Sequence, residues 1–231
     1  MTEMSPPLGD IVDTRPAKPP VRTVLEGRHV ALVPFSVEDH ARDLFDLSSG
    51  PANDALWAYM GQGPFATLEA FQAYYAAAAT KDDPLLFAIV ESGSRRAIGH
   101  ATFMRIAPAD RAVEVGNILY TPALQRTIGA TEAMYLMARH IFDDLGYRRY
   151  EWKCNALNAP SRRAALRLGF TFEGIFRQHM IVKGRNRDTA WFALLDHEWP
   201  SAKAAFEAWL DPANFGPDGR QRRSLEELRS T

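Results

Sequence analysis

The spacing of hydrophobic and polar positions changes along the chain, from alternation every second residue to recurrence at three and four. Val30 and Leu32 alternate with small or polar residues after Leu25, which predicts a first strand ending at Pro34. Ser36, followed three residues later by Asp39, caps a helix whose apolar side is Leu44, Phe45 and Leu47, and Ser49-Gly50-Pro51 breaks it. Residues 52–66 are irregular. Thr67 caps a second helix, to about Thr80, with Phe71, Tyr74 and Tyr75 at helical spacing. Leu85 to Val90 is a continuous apolar run, the pattern of a strand covered on both faces. Ala97 to Arg105 and Ala112 to Tyr120 follow across short turns, predicting an antiparallel meander.

A polar turn, residues 125–130, then feeds a long helix from about Thr131 to Leu145, with Ala133, Leu136, Met137, His140 and Ile141 on one face and Gly146 ending it. Tyr150, Trp152 and Cys154 share one face of the next strand, and a short helix follows Asn158-Ala159-Pro160-Ser161. Phe170 to Phe176 and Asp188 to Leu195 read as the last two strands, with a turn at residues 183–186. Ala202 to Leu210 reads as a terminal helix before a polar end carrying Arg220, Arg222 and Arg223. The divisions are a proline-rich tail over 1–23, one domain over 24–200, and a helix with polar tail over 201–231.

Composition narrows the classes. The 231 residues are 46% hydrophobic, enough for a sizeable core. A formal charge of −1 gives no footprint for nucleic acid or an anionic membrane, so neither is expected as a partner. The single cysteine, Cys154, excludes an internal disulfide and a multi-cysteine zinc site, and suits a cytoplasmic setting. It sits mid-strand and reads as buried and inert. No apolar stretch is long enough to span a bilayer, and the N-terminus has no basic-then-apolar pattern of a secretory signal.

The turn at 125–130 carries the first chemical reading. The opening N–H groups of a helix lack internal partners and face outward with the positive end of the dipole, which makes an anion site. The expected occupant is the pyrophosphate of a coenzyme.

The element order resembles the GNAT family of acetyl-coenzyme A-dependent N-acetyltransferases, especially its RimJ/RimL-like branch. The phrases Leu25-Glu26-Gly27-Arg28, Ala97-Ile98-Gly99, Val113-Glu114-Val115-Gly116, residues 125–133, Asn158-Ala159-Pro160-Ser161, Leu168-Gly169-Phe170 and Phe172-Glu173-Gly174 carry it, over roughly residues 25–199. The resemblance implies a mixed, mostly antiparallel α/β fold of six to seven strands flanked by helices, with the fourth and fifth strands splayed around acetyl-CoA. It implies no metal, and leaves room for a homodimer.

Under this resemblance the coenzyme loop is Gln125, Arg126, Thr127, Ile128, Gly129 and Ala130, with Thr131 following. Ile128 stands where the family has its central glycine, so the loop must bind through main chain, with the isoleucine side chain turned inward. Ile118, Leu119 and Tyr120 would pair with the pantetheine arm. Asn158 would bond the same region, or simply cap the next helix. Many relatives have a tyrosine acid where Ala165 stands. Ser161 is therefore the candidate acid for the leaving thiolate, against a plain helix-cap serine. Glu114 is the candidate base, against a solvent-facing strand glutamate. The base of RimL-like relatives falls at Met180 and cannot be carried over, and His179 beside it would face the other way. His100 is a second candidate at the acceptor. Trp57, Tyr59 and Phe65, with Met60, lie in the family's variable acceptor-binding segment, as a pocket floor or as core.

These readings converge on transfer of an acetyl group to a primary amine, either a protein N-terminus or a small amine. The alternative is an inactive acyl-CoA-binding sensor or interaction module.

Overall fold

The computed structural model describes residues 8–229. One sheet holds β1 (Leu25–Glu26), β2 (Val30–Pro34), β3 (Leu85–Glu91), β4 (Ala97–Ala107), β5 (Ala112–Tyr120), β6 (Arg149–Asn155), β7 (Thr171–Val182) and β8 (Arg185–Leu195). Their spatial order is β1-β2-β3-β4-β5-β6-β8-β7. Only β5 and β6 pair in parallel. The helix α3 (Ile128–Arg139) lies in the connection between those two strands, as a parallel pairing requires.

The sheet separates two apolar layers. On one face α1 (Val37–Ser48) and α2 (Leu68–Ala79) bury Leu44, Phe71 and Tyr75 against Leu86, Ala88 and Val90. On the other, α3 and α5 (Trp199–Leu210) pack Leu136, Met137 and Phe206 with Phe87, Ile89, Phe103 and Val115. The continuous apolar run of β3 follows, because alternate residues enter different cores. α4 (Ala159–Arg167) follows β6, and α6 (Leu225–Arg229) ends the described chain.

The structure departs from expectation in several places. The sheet has eight strands, not six to seven, because Leu25–Glu26 folds back on β2 as a separate strand. The Glu132 carboxylate, from α3, accepts the amides of Arg28, His29 and Val30 at 2.8, 2.7 and 2.9 Å and fixes that turn. A Cβ on Gly27 would stand 2.7 Å from the Glu132 carboxyl carbon, so the turn needs glycine there. α3 starts at Ile128 rather than Thr131, and its last turn, His140–Asp144, widens to π spacing. β7 runs to Val182 rather than Phe176, because Lys183 and Gly184, at φ 50° and 70°, make the tight turn alone.

Beyond Leu210 the chain is packed rather than a polar tail. Asn214 is buried and bonds Trp209 and Arg223 main chain, Leu225 enters the core, and Arg229 bonds the carbonyls of Leu166 and Arg167. At the other end residues 8–23 lie along the domain: Ala17 is buried and its amide donates to Pro108 O at 3.0 Å. The readings for residues 1–7 and 230–231 lie outside the described residues. Among the described residues no helix is long and apolar enough to cross a membrane.

Candidate active site

β5 and β6 are the strands expected as fourth and fifth. They pair from Ala112 with Arg149 to Val115 with Trp152, and no further. Beyond that point both strands continue, so the edge of β5 that faced β6 has no strand partner from Gly116 to Tyr120. A bulge marks the divergence. Thr102 pairs with Gly116 and His100 with Leu119, leaving two residues of β5 opposite one of β4, and Asn117 takes φ 48°. A cavity of about 1500 Å³ opens in the gap, with Ile118, Leu119 and Tyr120 on one side and Lys153, Cys154 and Asn155 on the other.

The N-terminus of α3 faces this cavity. Thr127 is its cap: Oγ1 accepts from Ala130 N at 3.2 Å and donates to Leu124 O at 2.8 Å. Among the described residues, the amides of Arg126, Ile128 and Gly129 donate to no protein acceptor. The positive-φ residue of the turn is Arg126, at 63°, while Ile128 is the first helical residue and packs half-buried against the core. That placement removes any need for glycine at 128. Gly129 does not line the cavity; its α-carbon presses on β2, where a Cβ would meet Val30 Cγ1 at 2.7 Å. Of these, the amides of Arg126 and Ile128 belong to residues on the cavity wall, and free amides at a helix N-terminus, beside the exposed Arg126 side chain, fit a pyrophosphate.

Neighbouring side chains hold this end in shape. Gln125 Nε2 donates to Tyr120 O at 2.8 Å, so the glutamine braces the turn. Tyr120 Oη donates to Ala130 O at 2.7 Å, and burial pushes its phenol far above the usual value. Thr131 Oγ1 accepts from Arg167 Nη1 at 3.0 Å. Asn158 caps α4 by accepting from Ser161 N at 3.2 Å, with its side chain on the cavity wall. Ser161 Oγ accepts from Trp152 Nε1 at 3.0 Å and also lines the cavity. Trp209, Phe215 and Gln221 close this side, a wall supplied by the C-terminal segment.

Glu114 lies on the opposite face of the sheet from α3, being the cross-strand partner of Met104 and not of Phe103. It is buried, with Oε2 2.7 Å from Arg105 Nε and 3.1 Å from Lys153 Nζ. Lys153 continues to Glu151 at 2.6 Å, and its ammonium sits 3.7 Å from the Trp191 ring centroid. Burial pushes the Glu114 carboxyl up, against the opposing pull of Lys153 and Arg105. Glu114 is thus a desolvated carboxylate on the cavity wall, the environment that makes a glutamate basic enough to take a proton.

The aromatic segment divides. Tyr59 and Met60 line the cavity, together with Gln62. Trp57 is core: it is buried, its Nε1 donates to Ser48 O at 2.8 Å, and Phe65 packs edge-on against it. Neither Trp57 nor Phe65 reaches the cavity wall, and His100 does not either. Its Nε2 bonds Tyr75 Oη at 2.7 Å and burial lowers its pKa to about 3, so it remains neutral among the helices α1 and α2. Cys154 lies beside Ser161, its thiol pushed up by burial. Arg105, Lys153 and Arg187 were not anticipated on the wall. Lys153 alternates with Trp152 and Cys154, so a charged residue on a central strand was the available signal.

The comparisons agree with this geometry. The family model described as "Acetyltransferase (GNAT) domain" matches residues 29–171. The crystal structure of a GCN5-related N-acetyltransferase from Brucella melitensis is 46% identical with a TM-score of 0.92, over 94% of this chain and 98% of that one. A probable GNAT-family acetyltransferase from Chromobacterium violaceum ATCC 12472 is 37% identical with a TM-score of 0.78, over 87% of this chain and all of that one (100%). The uncharacterized N-acetyltransferase YnaD of Bacillus subtilis (strain 168) is 29% identical over 103 residues, 44% of this chain and 59% of that relative's length. The family implies acetyl-CoA as co-substrate, and the free amides of α3 with the open edge of β5 suit it. With the splayed parallel pair and the family match in agreement, the chain belongs to the GNAT family of N-acetyltransferases, in its RimJ/RimL-like branch.

Proposed function

We propose that the protein transfers the acetyl group of acetyl-CoA to the primary amine of a small molecule, by direct attack in a ternary complex. The observation that carries the small-molecule reading is the roof over the acceptor side. Tyr59 Oη donates to Leu157 O at 3.2 Å, Gln62 Nε2 to Asn117 Oδ1 at 2.8 Å, and Lys183 Nζ to Trp57 O at 2.8 Å. These contacts tie the segment around residues 57–62 to the loop before α4, to the bulge of β5 and to the β7–β8 turn. An extended protein N-terminus would need that face open.

In this reading the free amides at the start of α3 bind the pyrophosphate, Arg126 adding charge, and the unpaired edge of β5 at Ile118, Leu119 and Tyr120 bonds the pantetheine arm. Asn158 contributes its amide from the α4 side. N–H groups of the β5 edge polarise the thioester carbonyl. Glu114 takes the ammonium proton, directly or through water, because an alkylammonium has no lone pair to attack with. Ser161 Oγ, already accepting from Trp152, has its own proton to give the leaving thiolate.

Calorimetry with acetyl-CoA, followed by thiol release on a panel of small amines and N-terminal peptides, tests the proposal. Turnover on small amines is expected. Turnover on peptides alone overturns the acceptor class, and tight binding without any turnover favours the acyl-CoA sensor.

A further inference from the structure

The acceptor side of the cavity holds a cation that the protein leaves unmatched. Cross-strand partners share a sheet face, so Glu114 and Glu151, Lys153 and Trp191, and Met180 and Arg187 can be followed across β5, β6, β8 and β7. Arg105 and Lys153 are neutralised by Glu114, and Lys153 also by Glu151. Arg187 has no such partner. The residue lines the cavity half-buried, its Nε is buried without an acceptor, and no carboxylate among the described residues stands within ion-pair distance. The residue facing it across the hairpin is Met180, also on the cavity wall, which offers neither charge nor acceptor.

A half-buried guanidinium with a buried, unpaired Nε–H is costly, and a planar two-oxygen anion satisfies it through paired hydrogen bonds. We infer that the acceptor amine carries a carboxylate that docks on Arg187, so that the substrate class is amino-acid-like amines. The charge balance selects carboxylate over phosphate. One unmatched cation is neutralised by one negative charge, whereas a phosphate dianion would need a second, and Arg105 and Lys153 are already committed. Burial depresses the Arg187 pKa, against the opposing pull of Cys154 and Glu114.

This inference rests on the acetyl-transfer reading above, and the test separates the two. Amino acids, their α-amides and the matching decarboxylated amines are compared by thiol release, alongside dipeptides with and without an acidic side chain. The carboxylated members should be preferred, chiefly through KM. Preference among the free amino acids places the carboxylate on the amine's own carbon, and preference only among acidic dipeptides places it on a side chain. Arg187→Gln should raise KM for carboxylated acceptors by roughly 30-fold or more, while Arg187→Lys keeps part of the preference. Met180→Glu, which supplies an internal counter-ion, should abolish the preference without removing the arginine. Acetyl-CoA affinity, read by calorimetry, should stay unchanged in all three and confirms that each is folded. Equal rates within every pair, or a preference that survives Arg187→Gln, overturns the inference and leaves acetyl transfer standing. No turnover on any amine overturns both.

Discussion

Glu132 is the point at which a single atom group fastens α3 to the sheet, and its removal has a calculable cost. The carboxylate is 5% exposed and accepts three backbone amides from the β1–β2 turn. In Glu132→Ala those donors lose their acceptor, but not equally. Val30 N is fully buried and forfeits the whole desolvation penalty, about 1–3 kcal/mol. Arg28 N and His29 N are only part-buried, so water replaces the carboxylate and the loss is about 0.5–1 kcal/mol each. With about 1 kcal/mol for the small cavity left behind, the sum is about 3–6 kcal/mol, or a melting temperature lower by roughly 6–24 °C for a chain of this length. Glu132→Gln keeps the shape and separates charge from packing. Its NH2 must face at least one donor, and a loss of about 2–3 kcal/mol is expected. Urea unfolding followed by circular dichroism measures both, the midpoint shifting at constant slope. A loss below about 1 kcal/mol in the alanine variant would show that the turn stands without the carboxylate. Because the same helix presents its amides to the cleft, acetyl-CoA should also bind the folded alanine variant more weakly.

Other perturbations follow from the same geometry. Glu114→Gln should lower kcat and leave acetyl-CoA affinity intact, read by thiol release and calorimetry. Burial raises the Glu114 carboxyl, so the wild-type rate should rise with pH through a limb above the ordinary glutamate range, absent in the variant. Identical pH profiles would remove Glu114 from the role of base. Ile128→Gly should leave acetyl-CoA affinity nearly unchanged, since the main chain binds, while stability falls by about 1–2 kcal/mol as a half-buried side chain is lost; a large drop in affinity would contradict this. Gly129→Ala should destabilise, because overpacking against Val30 at about 1–3 kcal/mol outweighs a helix-propensity gain of up to about 1 kcal/mol. A higher melting temperature in that variant would show that the α3–β2 contact yields freely.

The layers of this fold were legible because they rest on periodicity. β3 announced burial on both faces through an unbroken apolar run, and the face of α3 was readable from Ala133 to Ile141. The loop at 125–130 was legible as the turn that opens a helix N-terminus, but its conformation was not. Which residue takes the left-handed turn depends on where the helix starts, and Thr127, as cap, moved that position to Arg126. Glu132 was invisible as an anchor, since a glutamate inside an amphipathic helix normally signals its solvated side. His100 and Trp57 were placed near the acceptor by sequence position, whereas strand parity and ring packing decide which way each points. Lys153 and Arg187 escaped notice because their significance lies in partners on other strands, one matched and one not.

The divergence of β5 and β6 after Val115 and Trp152 has a metabolic consequence. In the proposed reading, the groups it frees and the amides of α3 grip parts of the cofactor that acetyl-CoA and spent CoA have in common. Nothing in that grip distinguishes a charged carrier from a discharged one. The enzyme should therefore respond to the ratio of the two forms rather than to the level of acetyl-CoA, slowing as the acyl supply of the cell is depleted even while the total coenzyme pool is constant. Inhibition by CoA competitive with acetyl-CoA, at comparable affinity, is the kinetic signature of such a gauge; a much weaker inhibition by CoA would mean that the acetyl group itself supplies much of the binding.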